Sequence, residues 1–279
     1  MSTQTPAASG NVRARTRPSP RRRRLYASIV QYAVLVAVLV ALALALDWES
    51  LGENVFNVEA AKLLLPSLPR AFANTLIYTV AAFAVGLVLG TTLALMRLSS
   101  VTLYRGIATV YVEFFRGIPA LLFVLTVAYA LPFALGFSIG STTLKVAIAL
   151  GMVSAAYIAE TLRAGLQAVP KGQVEAARSL GMSHTRTMVT VVVPQAFRIV
   201  LPPMTNEVIL LTKDTSLVYA MGLMVEEYEL TKIGQNMLSN PAGGGLTALF
   251  VVGACYLVIT IPLGIFARRL EAKGARSRS

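Results

Sequence analysis

Residues 71–96 form a run of 26 residues without one charged side chain. As a helix this run extends about 39 Å, more than the ~30 Å of a bilayer's hydrocarbon. Backbone amides in hydrocarbon have no water to bond, so a spanning segment closes its hydrogen bonds on itself as a helix. Residues 25–46 are a second charge-free run, 22 residues long. Further apolar stretches begin near Ile107, cover residues 142–162, start again near Val189 and cover residues 246–267. The expected fold is an all-α integral membrane protein with six transmembrane helices.

Composition supports this and closes other routes. Hydrophobic residues make up 56% of the chain and charged ones 14%, against about 25% charged for ordinary soluble domains. Mean hydropathy is +0.67, which excludes a soluble globular protein. The net charge of +12 would suggest nucleic acid, but seven of the 19 Arg precede Leu25. Basic segments flanking apolar runs fit membrane topology and anionic lipid headgroups instead, with no nucleic-acid partner. The lone cysteine, Cys255, allows no intrachain disulfide and reads as a small hydrophobe.

In chain order, residues 1–24 read as a disordered, basic cytoplasmic tail. Residues 25–46 are a retained N-terminal helix; the run exceeds a signal peptide's apolar core of roughly 7–15 residues. Residues 47–70 carry four acids and read as an extracytoplasmic loop, part of it a short interfacial helix. Span three is interrupted at Arg116, Gly117, Ile118 and Pro119, where a kink is expected. Residues 131–141 are a short outer loop. Span five holds Pro194, Pro202 and Pro203 and is expected to break at the proline pair, resuming at Thr205. Residues 225–245, with Glu226, Glu227 and Glu229, form an outer loop, and 271–279 a cytoplasmic tail. The distribution of Lys and Arg puts both termini in the cytoplasm.

The polar stretch of residues 171–203 separates spans four and five. Val174, Ala177 and Leu180 fall on one stripe of a short helix, with Glu175 and Arg178 close enough to pair. Gly181 supplies the left-handed residue that ends such a helix, and Ser183 caps a second one leading back into the membrane. The chain leaves the bilayer, runs along its surface, turns and re-enters. That shape suits handing motion to a soluble partner.

Glu175, Ala176, Ala177, three residues, Gly181, nine residues, then Val191, Val193 and Pro194 resemble the EAA loop of ABC-importer permeases. Val191 and Val193 stand where that pattern usually has Ile and Leu. Six flanking strings resemble the polar amino acid (histidine/glutamine/glutamate-type) branch. They are Glu113 to Gly117, Ala156 to Glu160, Lys171 to Gln173, Pro194 to Gln195, Leu201 to Pro203 and Lys213 to Leu217. The resemblance covers roughly residues 68–270 and leaves residues 1–66 outside. It implies a type I permease domain over residues 71–270, a five-helix core with the N-terminal helix added, and a coupling loop at about 170–190. Glu175, Ala176, Ala177, Leu180 and Gly181 would then couple to the ATPase. Implied partners are a second permease subunit, identical or a paralogue, two cytoplasmic ATPase subunits and an extracytoplasmic amino-acid-binding protein. The implied place is the bacterial plasma membrane.

The dipeptide Gly-Lys is absent, so no phosphate loop of the GxxxxGK type exists. ATP and Mg would sit on the partner ATPase, and this chain, not itself an enzyme, would bind no cofactor. His184 is the single histidine and has no companion for a zinc site. Intramembrane charges usually face protein or a water-filled cavity. Arg116, Glu160, Asn206, Glu207, Lys213 and Asp214 are therefore candidates for a substrate pathway, with structural pairing of Glu113 to Arg116 and Glu160 to Arg163 as the other reading. Two alternatives of different class are an ion-gradient-driven secondary transporter and a non-transporting scaffold. No internal repeat of the kind common in the former is visible, and the latter has no need of three prolines in one span. Which amino acid is carried, and whether the permease pair is identical, are open at this level.

Overall fold

The computed structural model describes residues 20–137, 139–239 and 246–276. The expected tail of residues 1–24 lies largely outside them, as do Pro241 and the neighbouring glycines. The described residues are helical and include no strand. They divide into two compact units, residues 1–51 and 52–279.

In the first unit, α1 (Pro20–Ala45) is a continuous rod with mean hydropathy 2.5 over residues 24–45. Its apolar side chains point outward all round, as a helix surrounded by lipid requires. Asp47 starts α2 (Trp48–Asn54), accepting from the Glu49 and Ser50 amides, each at 3.1 Å. Those bonds, the Ser50 amide's foremost, hold the Asp47 carboxyl below its ordinary range. The expected outer loop of residues 47–70 is thus mostly helical, with α3 (Val58–Leu64) following.

The second unit is built on α4 (Leu68–Leu98) and α8 (Thr142–Gln167), the most extensive helix pair in the chain. They run parallel, since Gly151 meets Ala82 and Val85 while Gly90 meets Ala155 and Ile158 further along both helices. A Cβ at Gly90 would stand 2.7 Å from Ile158 Cγ2 and 2.9 Å from the Ala155 carbonyl oxygen. Gly86 and Gly90 form a Gly-x-x-x-Gly face, and backbone approach of this kind drives helix association where lipid removes the hydrophobic incentive.

Between these helices lie α5 (Thr102–Gly117), α6 (Ala120–Leu125), a π turn over residues 126–130 and α7 (Leu131–Leu135). The expected kink is a full break, with α5 and the α6–α7 segment bent by 102°. Pro119 has no amide hydrogen and pushes Ile118 out of the helical region, so both are extended (φ −89°, ψ 139° and φ −60°, ψ 126°). Among the described residues five helices are long and apolar enough to cross a membrane, six if the bent pair is counted as one span. The outer loop expected from residue 131 is helical as far as Leu135.

After α8 come α9 (Lys171–Ser179), α10 (His184–Thr187), a π turn over residues 188–192 and α11 (Val193–Asp214). Here the sequence expectation fails. α11 passes through Pro202 and Pro203 without a break. Two carbonyls lose their amide partners, but a buried spanning helix keeps its form because its neighbours hold it, and the Thr205 hydroxyl bonds the Leu201 carbonyl at 2.9 Å. The irregularity moves to the two ends. The π turn widens the helix just before Pro194, and a 3-10 segment over residues 215–221 tightens it before Gly222, at φ 69°. The region expected to be a polar outer loop then folds as α12 (Leu230–Leu238). α13 (Thr247–Arg276) completes the unit and runs beyond Arg268 and Arg269, where the span was expected to stop.

Candidate functional site

The elbow between α8 and α11 is closed by backbone geometry. Gly181 adopts φ 80°. Its amide donates to the Arg178 carbonyl at 3.0 Å, and the Met182 amide donates to the Ala177 carbonyl at 3.2 Å. This 6→1 and 5→2 pair is the Schellman ending, which needs a left-handed residue between helix and exit. No atom lies within 4 Å of a Cβ built on Gly181, so glycine is required for conformation and not for space. Ser183 then caps α10, accepting from the Arg186 amide at 3.3 Å.

The expected apolar stripe divides. Val174 packs with Val169, Val192 and Ala196 beneath α9, and Ala177 is buried. Leu180 is 84% exposed and does not join them. Glu175 and Ala176 also face outward. The expected Glu175–Arg178 pair does not form; the Arg178 guanidinium bonds the Met182 carbonyl at 2.6 Å and ties the turn together. The elbow is a rigid projection held to the bundle by Val174 and Ala177, with Glu175, Ala176 and Leu180 displayed for another surface.

A cavity of about 310 Å³ lies between α8, α11 and the break at Pro119. Glu207, Leu210, Leu211 and Asp214 supply one wall, spaced i, i+3, i+4 and i+7, so one helical stripe faces it. The two carboxylates stand two turns apart, roughly 10 Å along the axis. Ser154 and Tyr157 face them from α8, and Ile118 and Ala120 border the break. The break is what makes room, since a continuous helix would fill this space with side chains. The Ser154 hydroxyl is occupied by the Gly151 carbonyl at 3.1 Å. Among the described residues, neither Glu207 nor Asp214 belongs to an ion pair. An acidic, partly polar chamber of this kind accepts a cationic group.

The other candidates are elsewhere. Asn206 and Lys213 are exposed on other faces of α11, and Arg116 is exposed on α5. Among the described residues no ion pair joins Glu113 to Arg116. Glu160 is bound by Arg97 from α4 and by Arg163 one turn on, at 2.7 Å. Arg163 continues to Gln167 at 2.8 Å. This set ties α4 to α8 near the elbow. The Glu160–Arg163 pairing was legible in the sequence, whereas the Arg97 contact, over 60 residues distant in the chain, was not.

Glu229 went unrecognised as anything but a loop acid. It is fully buried as the N-cap of α12, accepting from the Thr231 and Lys232 amides at 2.6 and 2.7 Å and from the Tyr256 hydroxyl at 3.0 Å. The one available sign was an acid placed directly before an amphipathic segment, Leu230, Ile233, Gly234 and Met237. Burial pushes its carboxyl up to about 7, against the pull of these hydrogen bonds. Among the described residues no cluster of three His, Cys, Asp or Glu could hold a metal.

Comparison with known proteins bears on the family and the fold. Residues 84–274 match the family described as binding-protein-dependent transport system inner membrane component. The chain is 36% identical over 210 residues to a probable glutamine ABC transporter permease protein, GlnM, of Bacillus subtilis, covering 74% of this chain and 92% of that one. It is 35% identical over 256 residues to the arginine transport system permease protein ArgU of Corynebacterium glutamicum, covering 87% and 78%. A crystal structure of an amino acid ABC transporter with histidines superposes with a TM-score of 0.66 at 31% identity, over 77% of this chain and 96% of that one. Neither the secondary-transporter nor the scaffold alternative finds a counterpart among these relatives. With the family model matched over most of the chain and relatives aligned along most of their own length, the chain belongs to the family of binding-protein-dependent transport system inner membrane components.

Proposed function

We propose that this chain is the permease subunit of an ATP-driven importer for polar amino acids, working beside a second permease subunit, two cytoplasmic ATPase subunits and an extracytoplasmic binding protein. The observation that carries this reading is the elbow, a rigid turn whose outward residues have no use inside the chain. Glu175, Ala176 and Leu180 dock on the ATPase, Ala177 anchors the helix to the bundle, and Gly181 fixes its angle. The sequence offers no phosphate loop, so ATP and Mg belong to the partner and this chain binds no cofactor. Both termini are cytoplasmic in a bacterial plasma membrane, with the elbow on the same side.

The mechanism follows from the geometry. ATP draws the two ATPase subunits together, and each carries an elbow with it. Because the turn at Gly181 and Ser183 ties α9 to the rod of residues 184–221, the push reaches α11, and through Glu160 and Arg97 it reaches α4. The bundle shifts between two packings, each opening the chamber to one side. Glu207 and Asp214 hold the substrate's ammonium group, and Ser154 and Tyr157 supply hydroxyls around it. The polar amino acid reading is supported by the relatives named for glutamine and arginine. Proteoliposomes holding the assembled complex, its binding protein and internal ATP test it. Uptake of labelled glutamine or arginine that stops when ATP is replaced by a non-hydrolysable analogue is expected. Uptake driven by an ion gradient without ATP would overturn the proposal.

A further inference from the structure

The end of the bundle opposite the elbow is covered by α12. Asn74 in α4 donates to the carbonyls of Glu226 and Tyr228, both at 2.9 Å, and the Tyr78 hydroxyl donates to the Glu227 carbonyl at 2.8 Å. The Leu230 amide donates to the Thr75 hydroxyl at 3.2 Å. At the centre of this cover is Glu229. One of its oxygens takes the Lys232 amide; the other takes the Thr231 amide and the Tyr256 hydroxyl. Tyr256 belongs to α13 and shares a second hydrogen bond with the Thr231 hydroxyl at 3.0 Å. α12 itself packs on the 3-10 segment of residues 215–221, which directly follows the chamber residue Asp214. A single carboxylate therefore ties α12 to α13, and α12 in turn lies against the segment that continues from the chamber-lining end of α11.

The charged and titratable groups facing Glu229 come from three sides: Tyr78 of α4, Tyr256 of α13, and Lys232 and Glu227 on its own segment. Lys232 turns its ammonium to Gln235 at 3.1 Å, and Glu227 turns its carboxylate to the Met224 amide at 2.9 Å. Among the described residues no cation pairs with Glu229. A buried anion held only by dipoles is poorly stabilised, and protonating it relieves that cost.

We propose that Glu229 is a positioning residue that latches α12 across the far end of the chamber, and that release of its bonds to Tyr256 and α12 is the step that opens this end. The proposal rests on the chamber being the transport path. With the carboxyl raised to about 7 from an ordinary 4.5, the protonated latch is the tighter one. Its stabilisation is complete below the ordinary value and is lost as pH rises through about 7. Between pH 6 and 8 the latch should therefore loosen about tenfold.

Two measurements on the detergent-purified full-length chain and on the reconstituted complex test this, comparing wild type with Glu229→Gln, which keeps shape and an acceptor oxygen. In hydrogen exchange, the amides of residues 230–238 should open about tenfold more often at pH 8 than at pH 6 in the wild type, after correction for intrinsic rates, and equally often in Glu229→Gln. In uptake assays the wild-type turnover should rise severalfold from pH 6 to pH 8 with little change in apparent KM, and the Gln variant should be flat. A residue that only caps α12 would change the yield of folded protein and leave both profiles parallel. Parallel profiles in wild type and variant would overturn the latch. Absence of wild-type uptake at every pH would instead overturn the transport reading, and the exchange experiment would still decide the latch.

Discussion

Arg97, in the last turn of α4, and Glu160, near the C-terminal end of α8, form an ion pair across the two parallel helices, and Arg163 holds the same carboxylate from one turn on. One acid thus neutralises two guanidinium groups that are themselves mostly enclosed, with the Arg97 and Arg163 side chains 17% and 29% exposed. Removing Glu160 leaves both cations uncompensated, whereas removing Arg163 leaves one pair intact. Glu160→Ala should destabilise the protein by ~3 kcal/mol, and Arg163→Ala by under ~1 kcal/mol. Thermal melting of the detergent-solubilised protein measures both, and equal losses would contradict this arrangement.

The α4–α8 contact depends on close backbone approach at Gly90. Because the obstacle to a side chain there includes the Ala155 carbonyl oxygen, which cannot swing aside, even Gly90→Ala should lower the melting temperature by several degrees, about 2 kcal/mol of overpacking. Gly172→Ala, where a Cβ meets nothing within 4 Å, should melt within a degree of wild type. Melting curves of the two variants in the same detergent provide the check.

In the chamber, Asp214 and its neighbour Lys213 make opposite predictions despite adjacency in the chain. Asp214 lines the cavity and Lys213 does not. A lost hydrogen bond to a charged group is worth about 1.5–3 kcal/mol. Asp214→Asn should therefore reduce uptake at low substrate concentration by roughly tenfold to a hundredfold, and Lys213→Ala by less than about twofold, at equal membrane insertion. Initial uptake rates in vesicles distinguish them.

Much of this was legible in the chain because it rests on local chemistry. Charge-free runs dictate membrane helices, and Gly181 with Ser183 dictates the elbow, since a Schellman ending and an N-cap involve only neighbours. Pro119 showed where a helix must fail, although a kink was expected and the extended Ile118–Pro119 pair makes a break of 102°. Pro202 and Pro203 misled for the converse reason. Their local penalty is real, but packing on α8 and α13 overrides it, and the distortion appears in the turns at either end. Three features had no local signature: Arg97 reaching Glu160, the enclosure of Glu229 by Tyr256, and the outward aim of Leu180 away from Val174 and Ala177. Each is set by where distant helices come to lie.

Gly181 offers a graded test of the elbow. A left-handed backbone costs a side chain about 1–2 kcal/mol, least for Asn. Transport and ATPase attachment should therefore decline in the order Gly181→Asn, Gly181→Ala, Gly181→Val. Pull-down of the ATPase by tagged permease, alongside uptake, reads the series. Because no side chain crowds this position, an order following side-chain volume without regard to backbone preference would contradict the conformational explanation.

The central claim is that the elbow is the surface on which a separate ATP-hydrolysing chain pushes. With Cys255 replaced by Ser, a single cysteine placed at Ala176 or Leu180 gives a unique attachment point for a short bifunctional crosslinker in intact membranes. The expected result is a crosslinked band containing the ATPase subunit from both positions and none from a cysteine at the buried Ala177. Failure of both exposed positions to reach that subunit, in membranes where uptake is active, would contradict the account.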